Sequence, residues 1–184
     1  MNITQVLDKK IDESKQGESL SLEANPIGNK KMYIESYGCQ MNFSDSEIVA
    51  SILKKEGFST TQKINEANLI FVNTCSIREK AEQTVRKRLE FYKSIKKKSN
   101  PGMIVGVLGC MAQNLKEEIL QSKPYVDVVL GPDSYRRIPE ILSSRTENND
   151  HFVDTRLSKF EVYDDLFPSR KDGVNAWVSI MRGC

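Results

Sequence analysis

The stretch Leu69-Ile70-Phe71-Val72-Asn73-Thr74-Cys75-Ser76-Ile77-Arg78-Glu79-Lys80-Ala81 decides the fold. Its short apolar run reads as a strand buried on both faces. The text turns polar at a cysteine and continues into a long charged segment that suits a helix. The same pattern appears twice more. Tyr33-Ile34-Glu35-Ser36-Tyr37-Gly38-Cys39-Gln40-Met41-Asn42 comes earlier, and Ile104-Val105-Gly106-Val107-Leu108-Gly109-Cys110-Met111-Ala112-Gln113 later. About 35 residues separate successive cysteines, the length of a strand plus its crossover helix. Strand, cysteine and helix in threefold repetition predict parallel strands with three thiols at one edge.

Outward from these runs the elements alternate. Strands are expected at Met32 to Tyr37, Phe58 to Gln62, Leu69 to Asn73, Met103 to Leu108 and Val126 to Leu130. A first helix opens at a capping box of Ser44 and Glu47 and stops near Gly57. A long helix is expected from Glu79 to Lys98, with shorter ones over Leu115 to Gln121 and Ile138 to Ser143. The alternation predicts an α/β fold: a flavodoxin-like, doubly wound, mostly parallel five-stranded sheet in the order 2-1-3-4-5, with helices on both faces. In that order the three cysteine-bearing strands are neighbours about 4.8 Å apart. Three thiols on their ends then span roughly 10 Å, at the edge where open sheets bind ligands.

The domain proper is expected over residues 31–145. Residues 1–30 read as a flexible polar tail, with at most a short helix near Ile3 to Glu13. Residues 146–174 read as a linker containing a strand-like piece at Phe152 to Asp154. Residues 175–184 read as a strand that opens a further domain.

The chain has 184 residues, four cysteines, one histidine and a net charge of +2. That balance does not mark a nucleic-acid binder. No apolar run approaches the roughly 18 residues of a membrane span, and the N-terminus lacks a secretory core. A cytoplasmic setting is the default expectation, and there widely spaced cysteines more often serve as ligands, nucleophiles or buried small residues than as disulfides.

Each of the three cysteines precedes a helix, whose N-terminal N–H groups and partial positive charge favour anionic sulfur. Gly38 and Gly109 stand just before two of them, where a missing Cβ permits a sharp turn and close approach. Three thiols without a fourth ligand would leave one iron of an iron–sulfur cluster open. A zinc ion held by three thiolates and water is the rival metal, although structural zinc sites favour paired knuckles. Three inert, buried cysteines are the plainest alternative. A flavin- or nucleotide-binding or interaction module of the same shape is the other, and no glycine-rich phosphate loop follows the first strand.

The words around the cysteines, Tyr37-Gly38-Cys39-Gln40-Met41-Asn42, Asn73-Thr74-Cys75-Ser76-Ile77-Arg78-Glu79-Lys80-Ala81 and Gly109-Cys110-Met111-Ala112-Gln113, resemble the N-terminal domain of the radical-SAM methylthiotransferases, in their tRNA-modifying (MiaB-type) branch. The resemblance covers about residues 31–184. It implies an auxiliary [4Fe–4S] cluster on Cys39, Cys75 and Cys110. It also implies a second cluster in a following barrel, with Cys184 of Arg182-Gly183-Cys184 as first ligand. The implied reaction consumes two molecules of S-adenosyl-L-methionine. One methylates a sulfur at the auxiliary cluster, and the other yields the radical that activates C2 of N6-isopentenyladenosine 37 in tRNA. The residues present here would not be catalytically competent alone. A monomer whose partner is tRNA, with no membrane involvement, is expected.

Gln40, Asn42, Asn73, Ser76 and Arg78 flank the thiols as candidate donors to sulfides or substrate, or as ordinary turn and cap residues. Arg86-Lys87-Arg88 and Lys93 to Lys98 make the long helix basic, which suits either a solvated face or an RNA backbone. No aromatic interleaving is evident in it.

Overall fold

The computed structural model describes residues 16–17, 19–21, 29–76, 79–148, 151–158, 161, 163 and 165–166. The helix expected near Ile3 to Glu13, the strand near Asn175, Arg78 and Cys184 lie outside them. The chain forms β1 (Lys30–Tyr37), α1 (Gln40–Lys55), β2 (Phe58–Thr60), β3 (Leu69–Thr74), α2 (Glu79–Lys98), β4 (Ile104–Leu108), α3 (Cys110–Ser122), β5 (Val128–Leu130), α4 (Ile138–Asn148) and β6 (Phe152–Asp154). Short 3₁₀ segments occupy Ile64–Glu66 and Pro132–Arg137. The sheet is parallel throughout, in the order β2-β1-β3-β4-β5-β6.

The period-2 alternation of strands divides the core in two. Met32, Ile34, Leu69, Phe71, Val128 and Leu130 face α1 and α4 on one side. Tyr33, Ile70, Val72, Val105, Val107 and Val129 face α2 and α3 on the other. In α2, Ala81, Val85, Leu89, Tyr92 and Ile95 recur at helical spacing and are all buried. Burying a large apolar side chain contributes about 1.5–3 kcal/mol, so these two layers bind the helices to the sheet.

Four expectations need correction. The sheet has six strands rather than five, because Phe152–Asp154 pairs with β5 instead of lying in a linker. Tyr163 and Leu166 also return to the core beside α1 and α4. Secondly, α1 starts at Gln40, one turn before the expected Ser44. Asn42 Oδ1 accepts the Cys39 N–H at 3.2 Å, so capping is complete before Ser44, which is buried within the helix. Thirdly, α3 starts at Cys110 rather than Leu115, and Leu115 is the kink where its backbone leaves helical geometry.

Fourthly, part of the expected tail is docked. Gly17 N–H donates to Ser36 O at 3.0 Å, Leu20 N–H donates to Ile34 O at 2.9 Å, and Ser19 forms an antiparallel bridge with Glu35. The reason is geometric. β2 pairs only with Lys30, Lys31 and Met32, so the outward carbonyls of Ile34 and Ser36 need donors from elsewhere.

Candidate metal centre at the sheet edge

β1, β3 and β4 end level with one another, since Tyr37 lies opposite Thr74 and Asn73 opposite Leu108. Cys75 therefore follows the middle strand directly, while Cys39 and Cys110 follow its two neighbours after one glycine each. Register thus brings the three cysteine-bearing junctions to one edge, as the spacing predicts. None of the three is in a disulfide, with Cys75 buried and Cys39 and Cys110 half-buried.

Both glycines are required by local geometry. Gly38 (φ 126°) and Gly109 (φ 89°) occupy backbone space that L side chains rarely adopt. A Cβ on Gly38 would lie 2.5 Å from Cys75 Cβ. One on Gly109 would lie 2.8 Å from Thr74 O and collide with Asn73 Oδ1. The Thr74–Cys75 segment is thus gripped from both sides, and Cys75 N–H donates to Tyr37 O at 3.1 Å. Cys39 caps α1 and Cys110 is the first residue of α3, so both stand in the positive field of a helix start.

A buried polar chain supports the edge. Asn42 Nδ2 donates to Asn73 Oδ1 at 3.1 Å. Asn73 Nδ2 donates to Asn42 O at 2.8 Å and to Ser46 Oγ at 3.1 Å. Ser46 and Ser36 hydroxyls meet at 2.7 Å. The Cys39 thiol itself lies 3.3 Å from Asn42 Oδ1. Of the candidate residues, Asn42 and Asn73 are therefore brought together, Ser76 accepts from Asn114 Nδ2 at 2.8 Å, and Gln40 is exposed. Sequence reasoning missed Ser36, Ser46 and Asn114. Ser46 falls one turn beyond Asn42, a signal visible only once the helix is started at Gln40.

The donor set suits a thiolate-bound group. Among the described residues, no three Cys, His, Asp or Glu groups close on a single ion. A larger cluster asks for sulfurs spread around its corners. Three cysteines at adjacent strand ends are the residues that would hold such a group.

Further from the edge, Glu35 is buried at the centre of a second network. Arg88 Nε and Nη2 donate to its two oxygens at 3.1 and 2.5 Å. The phenols of Tyr33, Tyr37 and Tyr92 donate to it at 2.6, 2.9 and 2.5 Å. Burial, then the Glu35 charge, pushes the Tyr92 phenol well above its usual range, and the same two causes act on Tyr33 and Tyr37. The outer face of α2 is basic, and an aromatic does interrupt it: Phe91 is 44% exposed, with the Arg88 guanidinium 4.9 Å from its ring centre.

Comparison with known proteins places these features. Residues 31–131, which include Cys39, Cys75 and Cys110, match the model of Uncharacterized protein family UPF0004. The chain is 58% identical over 97% of its length to a protein of Christiangramia forsetii named tRNA-2-methylthio-N(6)-dimethylallyladenosine synthase. Proteins of the same name from Flavobacterium johnsoniae and Bacteroides fragilis are 55% and 48% identical, over 97% and 85% of this chain. The chain spans 37%, 37% and 34% of these three relatives. No helix among the described residues is long and apolar enough to cross a membrane. Three level strand ends and the matched sequence around them lead to one assignment: the chain belongs to the UPF0004 family.

Proposed function

We propose that Cys39, Cys75 and Cys110 hold an auxiliary [4Fe–4S] cluster and that the chain is the cluster-binding part of a tRNA methylthiotransferase. The observation that carries this reading is the convergence of three cysteine-bearing strand ends around glycines whose Cβ positions are already occupied. When bound, the cluster would supply a Lewis-acidic iron with one position the protein leaves open. Cys75 would hold the cluster from a buried position, and Cys39 and Cys110 from half-buried ones. Asn42 fixes the Cys39 turn through its N–H, a bond that persists when the sulfur is a thiolate ligand.

The relatives' printed name supplies the substrate class: dimethylallyl-adenosine in tRNA, at position 37 in our reading, modified at C2 in the cytoplasm by a monomeric enzyme. S-adenosyl-L-methionine and a second cluster, with Cys184 as one ligand, complete that reading. They lie beyond what these residues accomplish alone. The basic outer face of α2 fits an approach to the RNA backbone.

Anaerobic reconstitution with iron and sulfide tests the site. Uptake of about four irons with visible absorption is expected, since the cluster type itself fixes that count. Loss of both in the Cys39→Ala, Cys75→Ala, Cys110→Ala variant completes the result. A folded wild-type protein that takes up no iron overturns it. Nucleoside mass spectrometry after reaction of the full chain tests the substrate, and modification of adenosine lacking the dimethylallyl group sinks that assignment.

A further inference from the structure

We infer that the docked N-terminal segment is part of the thiol site, with Gln16 as the residue that positions the Cys39 junction. The segment precedes the residues matched by the family model, and composition alone assigns it to a tail. Its place on β1 is nevertheless specific. The Gln16 side-chain amide engages Gly38 at both ends: Gly38 N–H donates to Gln16 Oε1 at 2.6 Å, and Gln16 Nε2 donates to Gly38 O at 2.9 Å.

The need for this clamp follows from the open flank of β1. Gly38 lies beyond the stretch of β1 that β2 pairs with, so β2 offers its peptide groups no partners. A primary amide is the side chain that presents one donor and one acceptor together. It replaces both missing ladder bonds with one residue. The segment is held in turn by Gly17 N–H to Ser36 O at 3.0 Å and Leu20 N–H to Ile34 O at 2.9 Å, and Leu20 packs on the core. At Gly17 (φ 77°) the space a Cβ would fill is taken by the Tyr37 phenol, 2.8 Å away. The clamp therefore connects the segment to the residue directly before a proposed ligand, on the half-buried side of the site.

The consequence is local. Without the clamp, Gly38 regains its rotational freedom and the Cys39 sulfur is no longer fixed relative to Cys75 and Cys110. The inference rests on the cluster reading only for the identity of what the sulfur holds, and its main test needs no metal.

The test is alkylation of the metal-free full chain with iodoacetamide, resolved cysteine by cysteine by peptide mass spectrometry. Gln16→Ala should raise the Cys39 rate about tenfold, the scale of two modest hydrogen bonds, with Cys75 and Cys110 unchanged. Gln16→Glu keeps the acceptor and loses the donor, so it should fall between. After reconstitution, Gln16→Ala should lose its visible absorption in air faster than wild type. An unchanged Cys39 rate overturns the inference, and so does a rise shared equally by all three thiols, which indicates general loosening. If wild type takes up no iron, the cluster reading fails while the alkylation pattern still decides the clamp.

Discussion

The side-chain amides of Asn42 and Asn73 pair face to face inside the domain, one residue from the first turn of α1 and the other from the middle strand, at 3.1 Å. Both are essentially inaccessible to water. A buried amide without its partner costs about 1–3 kcal/mol. Asn42→Ala and Asn73→Ala should each lower unfolding free energy by that amount in urea titrations. The double variant should lose less than the sum, because residues in one network couple by about 0.5–3 kcal/mol. Strict additivity would show that the pair does not act as a unit.

The two edge glycines invite a controlled comparison. Gly38→Ala and Gly109→Ala must strain the backbone and displace Cys75 or Asn73, so each should cost at least about 2 kcal/mol and abolish iron uptake. Gly102 has nothing within 4 Å of its Cβ position and an ordinary φ. Gly102→Ala should leave melting temperature and iron uptake nearly unchanged. Equal behaviour of the three variants in thermal melts contradicts the proposed cradle.

Arg88 forms a bidentate bond to a carboxylate that is only 2% exposed. Removing one member of such a pair strands the other, at about 3–5 kcal/mol. Arg88→Ala should approach that loss in chemical denaturation. Arg88→Lys should recover little, because an ammonium lacks the planar fork.

The phenols around Glu35 set the alkaline limit. Tyr33, Tyr37 and Tyr92 are held above the ordinary value of 10 by burial first, and then by the charge of Glu35 and the hydrogen bonds to it. A group with a raised folded-state pKa contributes its stability fully below its unfolded value and loses it as pH rises towards the folded one. Stability should therefore fall as pH climbs past about 10, by linkage. Ultraviolet difference spectra should show these tyrosinates appearing together with loss of circular dichroism. Complete tyrosine titration in the folded protein near pH 10 contradicts the network.

On α2, Lys87, Lys97 and Lys98 are exposed and without ion-pair partners among the described residues. The acids nearby are engaged: Glu82 by Arg86 at 2.9 Å, and Glu90 by Lys123. Lys87 and Lys98 stand roughly 16 Å apart along the helix. Replacing all three lysines by glutamate should weaken tRNA binding by the full chain. Its salt dependence should flatten by nearly one unit for each phosphate that is no longer neutralised. An unchanged slope in filter-binding titrations removes α2 from the RNA interface.

Fold class and the thiol edge are legible because strong signals coincide: buried apolar runs, helical periodicity and an even cysteine interval. The order of the first five strands follows from the same pattern. What stays hidden is set by tertiary partners. Phe152–Asp154 reads as a strand-like piece within a linker, and joins the sheet because β5 offers an open edge. The start of α1 is obscured because Ser44 and Glu47 form a plausible box, while the acting acceptor is Asn42, fixed by Asn73 far along the chain. Gln16 lies in polar text without periodicity, and nothing local indicates that Gly38 needs it.

The two outermost strands of the sheet, β2 and β6, are three residues long. The longer β1, β3 and β4 are interior, and the remaining open flank of β1 is already taken by Gly17 and Leu20. Short rims give another chain little to template on. A neighbour of this domain must therefore recognise it through helix surfaces and loop ends, and when the neighbour is absent the domain offers scant foothold for cross-β association.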